Sequence, residues 1–238
     1  MYFTTSWDDG HPLDIKLVDL LKKHNIRGTL YIQKSHPFVP SPLTTEDIRE
    51  LGEYMEIGAH TITHPTLTEI TNEEVQSEVI QSKQWIENIT NKECSMFCYP
   101  KGKHNEDIMK TVQSAGFMGA RTTEAFCFDH SNRFALPTSL HAYPFPFRPI
   151  ANRRFLQPIL DARPHLSNLG IPITKCLSWT SLAKRLFRHA YDSNQKWFHL
   201  WGHSWEVEKY KMWDALDSFF EYASSHKDIE FVSNSEIL

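Results

Sequence analysis

The chain lacks several things, and each absence excludes a class of function. It has no long basic run and a net charge of −4, which leaves no electrostatic footprint for nucleic acid. No apolar stretch approaches the roughly 20 residues that a membrane-spanning helix needs. Cysteine is sparse: Cys94, Cys98, Cys127 and Cys176 show neither the two-residue gap of a zinc ribbon nor a disulfide framework. They read as reduced structural thiols, which favours the cytoplasm. No secretory leader precedes the first strand-like run, so the expected location is cytoplasmic, unless the chain begins after a removed leader. Internal repeats and low-complexity tracts are also missing.

What remains has an ordinary globular composition. With 238 residues, 40% of them hydrophobic, the chain can bury a large core, and single α/β barrels commonly fall in this size range. Apolar and β-branched runs predict strands at Tyr2–Thr5, Gly28–Ile32, Glu56–His60, Met96–Tyr99, Gly119–Arg121, Trp197–Trp201 and Glu230–Val232. Between them, helical spacing predicts helices over Asp14–His24, Thr45–Tyr54, Glu106–Ala115, Trp179–Ala190 and Lys209–Ser225. A further helix runs to Asn88, opened by Thr71 and Glu74 as a capping box. Strands alternating with helices predict a parallel sheet with crossover helices, open or closed into a barrel. The proline- and arginine-rich stretch 136–172 breaks that rhythm and reads as an insertion within one domain spanning 1–238.

Adjacent carboxylates stand at Asp8 and Asp9, where a strand meets Gly10. Such neighbours repel unless a cation or a shared proton compensates. An N-cap ahead of the first helix accounts for one acid but hardly for two. Histidines four apart at His60 and His64 suit a divalent metal, although among 13 histidines such a pair also arises by chance, and His199 with His203 is a second one. Two imidazoles and a carboxylate make a three-ligand site with an open position for water, and the spare acid becomes a candidate base. Phe97–Lys103 is a strand ending in a Pro-x-Gly turn. Phe198–Glu206 ends a strand on Gly-His among aromatic rings, where His203 is either a hydrogen-bonded edge residue or a general acid.

In order, these segments resemble the polysaccharide deacetylase family, the NodB-homology domain of carbohydrate esterase family 4. Ser6-Trp7-Asp8-Asp9-Gly10 is similar to its first motif and His60-Thr61-Ile62-Thr63-His64-Pro65 to its second. Phe97–Gly102 is similar to the third and Trp201-Gly202-His203 to the fifth. The resemblance implies a single distorted (β/α) barrel of about seven parallel strands, with the site at the C-terminal strand ends. It also implies roles: Asp9, His60 and His64 as metal ligands, Asp8 as base, His203 as acid, and the main-chain N–H of Lys101 as oxyanion contact. Trp7, Tyr99 and Trp201 are expected to line the substrate pocket. The implied cofactor is one divalent transition ion, zinc first, with cobalt or nickel as alternatives.

The chain departs from the family pattern at three places. Cys98 replaces the third motif's arginine, for which Arg121 on the next strand is a candidate substitute. The fourth motif has no clear counterpart, which leaves Glu206 as the nearby candidate to orient His203. Trp201 stands where a leucine lines the acetyl-methyl pocket. The implied activity is metal-dependent removal of an N-acetyl group from an amino sugar or glycan, releasing acetate. The alternatives are an amidohydrolase acting on a non-sugar amide or imide, and a carbohydrate-binding relative without turnover. Arg148, Arg153 and Arg154 are either contacts for an anionic substrate group or a solvated loop.

Overall fold

A computed structural model describes residues 1–36, 39, 41–149 and 152–238. Positions 150 and 151, inside the proline-rich stretch, lie outside the described residues. The first strand, β1 (Tyr2–Asp8), leads to helix α1 (Asp14–Lys23). There follow β2 (Thr29–Ile32), α2 (Thr45–Leu51), β3 (Glu56–Ala59), α3 (Asn72–Thr90), β4 (Met96–Cys98), α4 (Glu106–Ser114) and β5 (Gly119–Arg121). The second half holds β6 (Leu140–His141), α5 (Gln157–Asn168), α6 (Trp179–Asp192), β7 (Trp197–Gly202), α7 (Ser204–Lys209), α8 (Trp213–Ser224) and β8 (Glu230–Val232).

The strands pair in the order β5-β4-β3-β2-β1-β7-β6, all parallel, as a curled α/β sheet with helices on its outside. This is the distorted (β/α) barrel. β8 shares one edge of β1 with β2: it lies beside Tyr2–Thr4, while β2 lies beside Ser6–Asp8. Capping boxes at Thr44 and Thr71 open α2 and α3.

Two elements differ from expectation. The stretch 136–172 carries a barrel strand at its start. Segment 133–142 hydrogen-bonds to β5 on one side (Leu136 N to Ala120 O, 2.9 Å) and to β7 on the other (Ala142 N to Trp201 O, 2.7 Å), bridging the two ends of the sheet. A two-residue strand flanked by proline gives no periodic signal, so it was invisible to patterning. The helix expected over Lys209–Ser225 begins later, as α8, and the unexpected short α7 precedes it, the two parted near Lys211, whose φ of 54° lies in the left-handed region.

Side-chain parity sorts the sheet's two faces. Phe3, Phe97, Phe198 and Leu200 belong to the large core beneath the helices, whereas Tyr31, Met96, Cys98 and Trp197 cluster separately inside the barrel. Thr4, Ser6 and Asp8 share the inward parity of β1, as His199, Trp201 and His203 do for β7. The outcome is an apolar jacket outside and a polar, aromatic lumen within.

Candidate active site

Because the strands are parallel, their C-terminal ends lie together. β1 delivers Asp8 and Asp9, β3 delivers His60, β4 delivers Cys98, β5 delivers Arg121 and β7 delivers His203. The backbone is held in the left-handed region at Asp9 (φ 83°), Thr61 (66°), His64 (58°) and Lys101 (57°). Such conformations cost of order 1–3 kcal/mol each for non-glycine residues and persist only where surroundings enforce them. Here those surroundings are visible. Asp9 N–H donates to Tyr31 O (3.1 Å) and Gln33 Nε2 donates to Asp9 O (3.0 Å). The histidine loop is tied to α3, since Glu78 accepts from the N–H groups of Ile62 (2.7 Å) and Thr63 (2.9 Å) and from the Thr63 hydroxyl (2.6 Å).

Asp8 is buried and ion-paired with the equally buried Arg121. Burial opposes its ionisation, but the charges of Arg121, His60 and His203 outweigh that and hold its pKa at about 2. Arg121 is further fixed by donating to Thr122 O (3.1 Å) and by lying over the Trp201 ring at 5.0 Å. Across from this pair, His203 Nδ1 meets Glu206 Oε2 at 2.7 Å. Burial disfavours the imidazolium, yet Glu206, Asp9 and Asp8 together raise its pKa to about 9. Its other nitrogen faces Asp9, with Nε2 at 3.7 Å from Oδ2. At neutral pH Asp8 is therefore ionised and His203 protonated.

Asp9 adjoins both, next to Asp8 in the chain and facing His203. Its Oδ2 accepts from Trp205 Nε1 at 3.0 Å, while its buried Oδ1 has no hydrogen-bond partner among the described residues. An unsatisfied buried carboxylate oxygen is costly. His64 Nε2 lies 3.8 Å from that oxygen and His36 Nε2 3.7 Å. His60 Nδ1 donates to Cys98 O (2.8 Å), which turns its Nε2 toward His64 Nε2 at 3.1 Å. Burial keeps His60 and His64 neutral, the latter pushed down to about 3 with help from His60. A buried anionic oxygen without a donor, faced by neutral imidazole nitrogens, suits a divalent transition ion.

The sequence profile described as polysaccharide deacetylase matches residues 2–120, half of the chain. The chain belongs to the polysaccharide deacetylase family. Among its relatives, the peptidoglycan-N-acetylmuramic acid deacetylase PdaA of Bacillus subtilis is 26% identical over 125 residues, 52% of this chain and 46% of the relative. A peptidoglycan-N-acetylglucosamine deacetylase of Bacillus cereus is 26% identical over 117 residues, 48% of this chain and 41% of that protein. The chain thus matches less than half the length of either. In three dimensions, a family 4 acetyl xylan esterase from Clostridium thermocellum superposes with a TM-score of 0.62 at 13% identity, over 100% of this chain and 90% of that one. The Xyl-CE4 domain of a xylanase from the hindgut metagenome of Trinervitermes trinervoides gives 0.61 at 12% identity, over 99% and 88%. The shared architecture extends well beyond the stretch where sequence similarity is found.

Against that family pattern, the position of the guanidinium has a simple geometric account. Cys98 and Arg121 are register partners on neighbouring strands, so Arg121 projects into the lumen at the same level as Cys98. The guanidinium stands one strand over from Cys98. Cys98 is left as a buried thiol 3.8 Å from Asp8, pushed far up by burial. Glu206 contacts His203, and His141 joins them, with Nε2 3.2 Å from Glu206 and its ring stacked on Trp201 at 3.9 Å.

Three expectations require correction. Trp7 and Tyr99 do not line a pocket. Both are fully buried and have the outward parity of their strands, so they face the helix layer. Gly202 leaves room for the Trp7 ring, since a Cβ there would come within 2.9 Å of it, and the Tyr99 hydroxyl donates to Phe134 O (2.9 Å). Trp201 has the inward parity but is 8% exposed and covered by His141. The second histidine pair divides: His199 is a core residue bonded to the Thr4 and Ser6 hydroxyls, and only His203 reaches the site. Sequence reading missed His36, His141, Glu78 and Trp205. Of these, Trp205 alone had a signal, its place beside the Gly-His strand end.

Proposed function

We propose that the protein is a hydrolase that removes an N-acetyl group from an amino sugar of a glycan, leaving acetate and a free amine. The observation that carries this reading is an ionised Asp8 and a protonated His203 together beside Asp9 and the imidazoles. Asp9, His60 and His64 would hold the divalent cation. A carboxylate as acidic as Asp8 is a weak base, so the cation's part when bound is to acidify water and polarise the amide carbonyl.

This chain's own residues supply the remaining steps. Arg121 keeps Asp8 ionised and aimed, and Asp8 accepts a proton as water attacks the carbonyl carbon. The oxyanion that develops is met by the main-chain N–H of Lys101, presented by the tight turn at Pro100–Gly102. Glu206 holds Nδ1 of His203, so Nε2 delivers a proton to the nitrogen as the carbon–nitrogen bond breaks. The amine leaves neutral, which an amide anion is too basic to do. The peptidoglycan deacetylases among the relatives, and the cobalt ion in the Clostridium thermocellum esterase, support a glycan substrate and a transition ion.

The test is acetate release from N-acetylated glycans, with peptidoglycan fragments first. Asp8→Asn should lower the rate by roughly 10²–10⁴-fold, the usual span for a general base. Release of acetate by Asp8→Asn at the wild-type rate removes the mechanism, and release from cyclic ureides but from no glycan reassigns the substrate.

A further inference from the structure

Beyond the ligand set taken over from the family pattern, we propose that His36 is a fourth protein ligand of the cation, making the donor set three imidazoles and one carboxylate. The proposal rests on the metal-dependent reading of the same site.

Its basis is convergence on one oxygen. His36 Nε2 lies 3.7 Å from Asp9 Oδ1, no farther than His64 Nε2 at 3.8 Å. One ligand atom from each of Asp9, His36 and His64 falls within 4.8 Å of the others. Two atoms bound to one ion at about 2.0–2.2 Å each lie within about 4.4 Å of one another, so both Nε2–Oδ1 distances fall inside the span of shared coordination. The rings of His36 and His64 meet edge to face, with centroids 4.4 Å apart, and those of His60 and His64 do the same at 4.7 Å. The three imidazoles therefore form a continuous array, of which His36 and His64 face the orphaned Oδ1.

The position of His36 is built and not accidental. The segment that follows β2 is tied to both halves of the metal site. Gln33 donates to the Asp9 carbonyl, and Ser35 N–H donates to Ile62 O (3.0 Å) inside the histidine loop. The His36 side chain is only 6% exposed. Three imidazoles and one carboxylate favour nitrogen-loving transition ions over magnesium or calcium. A third imidazole also commits one more coordination position to protein, so the ion must be five-coordinate to accept water and six-coordinate to hold water and substrate together.

X-ray absorption on the wild-type protein loaded with zinc counts imidazoles directly and needs no variant. The expected result is three. Two imidazoles overturn the His36 assignment while leaving the proposed function intact, and a chain that binds no zinc overturns both. Independently, His36→Gln should weaken zinc affinity, read by chelator competition, by about tenfold or more, and should intensify the visible absorption of the cobalt form as coordination number falls. His130→Gln, at the opposite end of β7, serves as the control. An unchanged affinity and an unchanged cobalt spectrum in His36→Gln contradict the proposal.

Discussion

At the scale of single residues, the site depends on two charge pairs of opposite purpose. Asp8 with Arg121 keeps a buried carboxylate ionised. The folded pKa of Asp8, about 2, lies below its ordinary 3.8, so its ionisation stabilises the fold above about pH 4, and that contribution is lost as pH falls through 2. Removing the cation alone leaves a buried charge unpaired. Arg121→Gln is therefore expected to destabilise by about 3–5 kcal/mol in denaturant titration. Because Cys98 is the register partner of Arg121, the exchange Cys98→Arg with Arg121→Cys should recover stability relative to Arg121→Cys alone. No recovery would show that the lumen accepts the guanidinium from β5 only. Glu206 with His203 does the reverse and keeps an imidazolium charged. In Glu206→Gln the pKa of His203 falls, so the alkaline limb of kcat/KM should move to lower pH. A limb that stays in place would mean that Glu206 does not hold that proton.

At the scale of elements, strained loops are held by partners on neighbouring elements. Glu78 projects from α3 and satisfies two N–H groups and one hydroxyl in the loop that carries His60 and His64. Hydrogen bonds to a charged group are worth about 1.5–3 kcal/mol. Glu78→Ala should therefore lower stability by an amount of that order and weaken metal binding by roughly 10–100-fold, as loss of a ligand-orienting partner does. Calorimetry of the apo and metal-loaded forms measures both. Destabilisation without loss of affinity would limit Glu78 to a structural role. Much of this level was legible in the sequence. Thr71 and Glu74 announced the start of α3, and the strands carrying Asp8, His60, Arg121 and His203 stood out as apolar runs. Glu78 and His36 were not legible, because one is an ordinary polar residue on a helix and the other a lone loop histidine. Their importance arises only when the barrel brings distant segments together. Trp7 and Tyr99 were misplaced for a related reason: being next to a motif says nothing about which face of the strand a side chain takes.

At the scale of the whole molecule, the barrel holds a small polar cluster inside an apolar shell. β1 contacts β2, β7 and β8, and it carries Asp8 with Asp9 just beyond its end. The segment 133–142 spans from β5 to β7 and places His141 against Glu206. None of these closures is local in sequence, so periodicity revealed the strands but not the residues that join the sheet's ends. A cation that binds only the folded chain should raise stability by about 2.7 kcal/mol at a hundred times its dissociation constant, measurable as a rise in Tm on titration with zinc.

The most direct measurement is acetate release from an N-acetylated glycan, followed as the protein is stripped of metal by chelator and then titrated with zinc. The expected course is loss of activity on stripping and full return at one equivalent of metal per chain. Acetate release that persists after complete metal removal would contradict the central claim that Asp8 and His203 act around a bound cation.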